Sequence, residues 1–362
     1  MSDINMNKIK LEDLGYNDFF ETNRNKLGLD KFSVARVIAE HKGIYKVRDT
    51  KTDYLAKVTG KQMFTALSRE DYPAVGDWVA ISKIDKEQAI IHEILPRKTI
   101  IKRKNSGGNK TQIIATNIDV AFVVESVDRD FNLNRFERYF AIVREEEIKP
   151  AIILNKIDLI SKEELTEKLN QIKNRFSEID FISTSTTTNE GLNDLKDYMK
   201  KRKTYCFLGS SGVGKSSLIN KLLGESIIKT KKISSYTGKG KHTTTSREMY
   251  FLKNGPIVID NPGIREVGMV NLSSGINNIF DEIITLGKKC KYIDCTHIHE
   301  PGCEVLSALK SGRLDKDKYS NYMKLKGESE YYEMTELEKR GKDRQFGKFI
   351  KNAKKDIKKY KY

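Results

Sequence analysis

Residues Tyr205–Gly224 read YCFLGSSGVGKSSLINKLLG: a short apolar run, a glycine-rich turn carrying Gly-Lys-Ser, and then a helix. The pattern G-x-x-x-x-G-K-[ST] is complete at Gly209, Gly214, Lys215 and Ser216, and its place between strand and helix separates a phosphate-binding loop from a chance match. Glycines let the backbone N–H groups of the loop Gly209, Ser210, Ser211, Gly212, Val213, Gly214 converge on a β-phosphate, and the helix N-terminus adds partial positive charge. Lys215 would reach the β- and γ-phosphate oxygens, Ser216 would ligate Mg²⁺, and Ser217 belongs to the same nucleotide-binding set. The competing reading is an ordinary glycine-rich βα turn. Its position is unusual, because such a loop normally follows the first strand of its domain and here begins some two hundred residues into the chain.

Upstream, the strand AIIL ends in NKID, Asn155–Asp158, which matches the Asn-Lys-x-Asp element of guanine-nucleotide proteins. A carboxylate at Asp158 accepts from guanine N1–H and the exocyclic amine, a pairing adenine does not offer. Asn155 would hold the loop and the Lys156 stem would cover the ring face, which selects GTP over ATP. Next, FISTSTTTNEGL places Ser185 and Thr186 in the slot of the fifth GTPase motif, with a Ser/Thr-rich helix cap as the alternative.

Downstream, GKGKHTTTSRE carries Thr243, Thr244 and Thr245 in a glycine- and lysine-rich loop. A threonine there, Thr244 in our assignment, would complete the Mg²⁺ shell when a γ-phosphate is present and act in catalysis with Lys215. IVIDNPG then gives Asp260-x-Pro-Gly263, in which the aspartate supports Mg²⁺ through water and the glycine N–H meets the γ-phosphate. Ile264 follows, so a water-orienting glutamine is missing and His242 becomes the candidate for that catalytic role, against a structural or exposed histidine. Base recognition thus precedes phosphate binding and both switch motifs, the reverse of the usual order. That is a circular permutation, which a parallel sheet tolerates because its elements keep their places in space.

Working outward, residues 1–30 read as a polar lead-in with a short helix around LEDLGYNDFFETN. Residues 31–104 carry five short alternating runs broken by Gly, Asp-Thr-Lys and Pro, the pattern of a small antiparallel barrel; an OB-like barrel fits, and a general β-barrel or SH3-like fold is also compatible. RKTIIKRKNSGGNKTQ, residues 97–112, is basic with little periodicity and reads as a linker or mobile loop. Residues 105–272 alternate strand and helix, which predicts a parallel sheet covered on both faces.

Residues 273–335 turn helical around CKYIDCTHIHEPGC, spaced Cys-x4-Cys-x-His-x5-Cys. Cys290, Cys295 and Cys303 with either His297 or His299 form a closed tetrahedral set suited to one structural Zn²⁺, the alternative being unrelated thiols near a helix. Cys206 stands apart, as a buried strand residue. The tail, 336–362, holds eleven Lys or Arg against two Asp from Lys339 onward, mixed with Phe346, Phe349 and Tyr360. Lysines recur there at helical spacing, as at Lys351, Lys355, Lys358 and Lys359, so a helix lying along RNA phosphates competes with a solubilising tail.

The formal net charge of +16, with 66 basic residues against 50 acidic, favours a polyanionic partner, nucleic acid first. No apolar run approaches the roughly 18 residues that span a bilayer and the N-terminus has no secretory apolar core, so a cytoplasmic protein without membrane attachment is expected, and a monomer.

Taken together, the barrel with YPAVGDWV, permuted NKID, GSSGVGKSSLIN, GKGKHTTT, DNPG and CKYIDCTHIHEPGC closely resemble the ribosome small-subunit-dependent GTPase family, the RsgA-type circularly permuted GTPases, over about residues 30–330. The resemblance implies an rRNA-binding OB-fold, a GTP/GDP cycle stimulated by the small ribosomal subunit, and a late role in that subunit's maturation. It implies His297 as the zinc ligand, His242 as the family's loop histidine, and Ile264 as its hydrophobic residue after the DxPG glycine. Rival readings are a nucleic-acid-binding protein with a structural nucleotide, and a GTPase acting on tRNA or a membrane.

Overall fold

The computed structural model describes residues 9–104, 111–128, 131–224, 247–253, 255–260, 272–335 and 337–350, the last without 343, 345, 346 and 349. It contains two compact units, Met1–Gly268 and Met269–Tyr362.

In the first unit, a 3-10 turn at Leu11–Leu14 leads to α1 (Asp18–Lys26), started by Asn17, whose side chain accepts from the Phe19 N–H. Leu14, Tyr16, Phe20 and Leu29 bury themselves against Val34, Trp78, Ala80 and Leu95 on the outside of a barrel, with Tyr16 edge-on to Trp78 at 4.8 Å. The lead-in is therefore a packed element: Leu14 of the 3-10 turn, Tyr16 of the connection, Phe20 of α1 and Leu29 beyond it all bury against the barrel.

The barrel consists of β1 (Ser33–His41), β2 (Ile44–Arg48), β3 (Asp53–Val58), β4 (Trp78–Lys83) and β5 (Gln88–Ile94), with α2 (Gly60–Thr65) between β3 and β4. Strands pair β1–β2–β3–β5–β4 and β4 returns to β1, closing the circuit; β3–β5 is parallel and the other pairs are antiparallel. This is the five-stranded order of an OB-fold. Alternation puts Ala35, Val37, Tyr45, Val47, Tyr54, Ala56, Val79, Ile81, Ala89 and Ile91 inside. A register shift between Val37 and Ala39 lets β1 bend from one partner to the next.

β6 (Ile100–Lys104) and β7 (Thr111–Thr116) pair antiparallel. The stretch 97–112, expected to be a linker or loop, thus contributes a paired strand and the start of its partner. Ile101, Ile113, Ile114 and Ala115 are buried, and their burial outweighs the basic residues between them. The α/β part follows: β8 (Val120–Ser126), α3 (Leu133–Glu145), β9 (Lys149–Asn155), α4 (Lys162–Arg175), β10 (Phe181–Thr184), α5 (Leu192–Tyr198), β11 (Thr204–Leu208), α6 (Lys215–Leu223), β12 (Glu248–Phe251) and β13 (Ile257–Asp260). The order is β10-β9-β8-β11-β13-β12, parallel except for antiparallel β12. Every residue of β8 and β11 is buried, as expected for strands covered on both faces.

Two features join barrel and α/β sheet. Ala39 of β1 pairs with Glu248 of β12, so the strands form one continuous sheet. Arg36 of β1, 1% exposed, donates to Thr204 Oγ1 at 2.9 Å, to the carbonyls of Gly76 and Asn117 at 3.3 Å and to the Leu14 carbonyl, and its guanidinium lies 5.5 Å from the Trp78 ring. Burial pulls its pKa down to about 10 against the opposing pull of Asp119 and Asp77. Arg36→Met would strand these acceptors away from water, so we expect it to lower the unit's unfolding free energy by about 3 kcal/mol, read by denaturant melts.

The second unit contains α7 (Ser273–Ile279), α8 (Asp281–Gly287), α9 (Glu304–Lys310) and α10 (Lys316–Glu333). Its small core includes Ile276, Phe280, Ile283, Val305, Ala308, Tyr322 and Leu325, with Phe280 edge-on to Tyr322 at 5.4 Å. Asp315 caps α10 by accepting from the Lys318 N–H at 2.6 Å. The tail is helical over 337–342, whereas Phe346, Phe349, Tyr360 and Lys351, Lys355, Lys358 and Lys359 lie outside the described residues. Among the described residues, no helix is long and apolar enough to cross a membrane.

Candidate functional site

Parallel strands deliver their C-terminal ends to one edge of the sheet, where doubly wound folds bind ligands. Here β8, β9, β10, β11 and β13 bring Ser126, Asn155, Thr184, Leu208 and Asp260 to that edge. After β11, Gly209 at φ 141° and Gly214 at φ 101° begin and end the phosphate loop. A β-carbon on Gly209 would lie 2.2 Å from the Val124 carbonyl oxygen, and one on Gly214 2.2 Å from Asn155 Nδ2. Both positions therefore require glycine, because the neighbours are main chain or a locked side chain.

Val213 is fully buried in the sheet's core, which pins the middle of the loop. Lys215 opens α6, and its Nζ donates to the carbonyls of Gly209 and Ser210 at 2.7 Å each. Its ammonium is thus held over the loop. Ser216 and Ser217 follow in the first turn of α6, partly buried, with Ser211 and Gly212 at the loop's outer bend.

The base loop is wired to the phosphate loop through one side chain. Asn155, fully buried, donates from Nδ2 to the Val213 carbonyl at 2.8 Å and accepts at Oδ1 from Thr184 Oγ1 at 3.0 Å. Lys156 takes the left-handed conformation at φ 65°, and its Nζ meets Asp128 Oδ2 at 2.9 Å. Asp158 is exposed, and Oδ1 accepts from Ser185 Oγ at 2.6 Å. Ser185 Oγ in turn accepts from the N–H groups of Thr187 and Thr188 at 3.1 and 3.0 Å, so the hydroxyl is aimed at Asp158 by the turn it belongs to. Thr186 lies in that turn, partly buried.

Asp260 ends β13 at 3% exposure. Burial pushes its carboxyl up to about 6, with Lys215 pulling down and Glu248 adding to the rise. His242, Thr243, Thr244, Thr245, Gly263 and Ile264 lie outside the described residues.

Residues not singled out from sequence include Thr184, Asp128 and Tyr139. Thr184 and Asp128 are polar residues at or just past the ends of apolar strands, and sharing the ligand edge was their available signal. Tyr139 hydrogen-bonds with Ser210, and burial with the Glu125 carboxylate pushes its phenol up to about 12.

In the second unit, one ligand atom each from Cys290, Cys295, His297 and Cys303 lies within 4.8 Å of the others, a set able to hold a metal ion. His297 presents Nδ1, 3.7 Å from Cys290 Sγ and 3.5 Å from Cys303 Sγ. His299 is exposed and outside the set. The His297 carbonyl accepts from Tyr319 OH at 2.6 Å, and Glu300 accepts from the N–H groups of Thr296, Ile298 and His299, shaping the turn. Three thiols and an imidazole converging without a carboxylate suit a closed tetrahedral site. Elsewhere, Cys206 is buried in β11, where desolvation raises its thiol's pKa.

Residues 94–270 match a family model described as RsgA GTPase. The chain is 39% identical over 326 residues to small ribosomal subunit biogenesis GTPase RsgA 1 of Bacteroides thetaiotaomicron, covering 89% of this chain and 90% of that one. It is 40% identical over 316 residues to RsgA 2 of Lactiplantibacillus plantarum, covering 87% and 89%. The fold is similar to the crystal structure of YjeQ from Thermotoga maritima, at TM-score 0.60 and 24% identity over 81% of this chain and 96% of that one. It is also similar to YloQ, described as a circularly permuted GTPase, at TM-score 0.58 and 22% identity over 84% and 97%.

Proposed function

Because the chain belongs to the RsgA family of GTPases, we propose that it binds the small ribosomal subunit through its rRNA and hydrolyses GTP there late in the subunit's maturation, stimulated by the subunit. The observation that carries this reading is the Asn155–Val213 hydrogen bond, which fixes a guanine-selecting loop at a set distance from a phosphate loop. The net charge of +16 supports a polyanionic partner. The cycle is that of a cytoplasmic monomer.

Asp158 selects guanine, Asn155 and Ser185 hold its loop, and Lys156 covers the ring. Lys215 and the loop N–H groups from Gly209 to Ser217 take the β- and γ-phosphates, with Ser216 and Thr244 available to Mg²⁺ and Asp260 supporting it through water. Mg²⁺ would neutralise charge developing on the transferring phosphoryl group. Thr244 and the Gly263 N–H close on the γ-phosphate, and His242 orients the attacking water in line. Hydrolysis releases these contacts, and the subunit with them. Cys290, Cys295, His297 and Cys303 would hold one structural Zn²⁺.

A pH dependence follows from Asp260. Its carboxylate is present above about 6 and is lost as pH falls through that value, whereas the Mg²⁺ role requires the carboxylate. Mg²⁺-dependent GTP affinity should therefore fall roughly tenfold from pH 7 to pH 5, and Asp260→Asn should abolish this slope.

The proposed function is tested by co-sedimentation with purified small subunits. A non-hydrolysable GTP analogue should retain the protein on the subunit and GDP should release it. Equal binding in both states would sink the switch.

A further inference from the structure

We infer that Asp128 is a positioning residue for the guanine base, tying down Lys156 so that the lysine's aliphatic stem lies across the ring face. The inference rests on reading Asn155–Asp158 as the base-recognition loop. Lys156 occupies φ 65°, a region where its β-carbon crowds the following carbonyl, so something must hold it there. Its ammonium is fixed at 2.9 Å by Asp128 Oδ2, while Asp128 Oδ1 accepts from Ser126 Oγ at 2.8 Å. The main chain docks the same turn: the Val127 N–H donates to the Asn155 carbonyl at 3.1 Å, beside the β8–β9 register in which Ser126 faces Asn155.

Residues 126–128 therefore bracket the first two residues of the base loop. The two side chains are 19% and 32% exposed, so the pair is only partly screened by solvent. A flexible lysine stem covers a purine face at small entropic cost only when its head is already anchored, and Asp128 provides that anchor. Asp128 belongs to neither the phosphate loop nor the Asp158 side of the base loop, and it acts through Lys156, so its effect should fall on base affinity and not on the chemical step.

The test is a double-mutant cycle on the full chain with Asp128→Ala, Lys156→Ala and both, titrated with GDP and with inosine diphosphate, which lacks the exocyclic amine. Asp128→Ala should weaken both nucleotides by the same factor, about fivefold, the size of losing one partly exposed ion pair. The loss should appear in KM for GTP and not in kcat, and Asp128→Ala should add nothing once Lys156 is alanine. Unchanged nucleotide affinity, fully additive losses, or a fall in kcat at unchanged affinity would each overturn the inference. Failure of the unmodified chain to bind GDP would overturn the base-loop reading itself, and the inference with it.

Discussion

Lys215→Ala should lower kcat for GTP about a thousandfold, both in the unstimulated protein and with small subunits present. The ammonium lies 2.7 Å from the Gly209 and Ser210 carbonyls, so it is already at the mouth of the phosphate loop. On nucleotide binding it would exchange these neutral carbonyl acceptors for phosphate oxygens, whose charge grows on the bridging and leaving side as the bond breaks. Charge-assisted contacts that strengthen in the transition state act on kcat, whereas contacts equal in both states act on KM. The fold should persist, because α6 packs through Leu218, Ile219 and Leu222, all buried in the sheet core. Single-turnover hydrolysis with circular dichroism as a folding control checks both halves, and a loss smaller than tenfold would remove Lys215 from the chemistry.

Removing the metal should unfold the second unit. Between α8 and α9 the chain has no regular secondary structure, and the side chains it buries there are Cys295, His297 and Cys303. The apolar residues of the same loop point outward: Ile293 is fully exposed, Ile298 is 60% exposed and Tyr292 41%. Apolar burial therefore contributes little to the loop's shape, and the proposed metal would supply the free energy that holds it, about 10–16 kcal/mol for a structural Zn²⁺ site. Metal analysis should find one zinc per chain. Strong chelation, or Cys303→Ser, should release it and abolish the helical signal of α7 to α10, while GDP binding by the first unit survives. Full helicity without zinc would contradict this account.

Much of the site was legible because its chemistry is local. Gly209 to Ser217 and Asn155 to Asp158 are contiguous motifs whose residue types follow from phosphate and guanine chemistry, and their order along the chain exposed the permutation. The cysteine spacing was equally readable, although the choice between His297 and His299 rested on family resemblance until the structure placed His297 Nδ1 among the thiols and His299 outside. Pairings between distant residues were not legible. Nothing near Arg36 announces Thr204 as a partner, and Ala39 gives no sign that β1 will extend the sheet to Glu248. The 97–112 stretch misled because lysines and glycines conceal a strand whose buried residues are few. Asp128 escaped because a short polar turn after a strand has no motif; only the fold brings it to Lys156.

The continuous sheet gives these distant pairings a functional setting. β12 lies between the two segments proposed as switches, residues 238–248 and 260–263, and its Glu248 pairs with Asp260 on one side and Ala39 of the barrel on the other. Barrel and nucleotide site are thus strands of one sheet.

The central claim, a GTPase switched on by the small ribosomal subunit, is tested most directly by GTP turnover measured in parallel with purified small subunits, large subunits and tRNA at a fixed, stated salt concentration. The account predicts slow intrinsic turnover that rises with small subunits alone. Equal rates in all conditions, or stimulation by large subunits or tRNA instead, would contradict it.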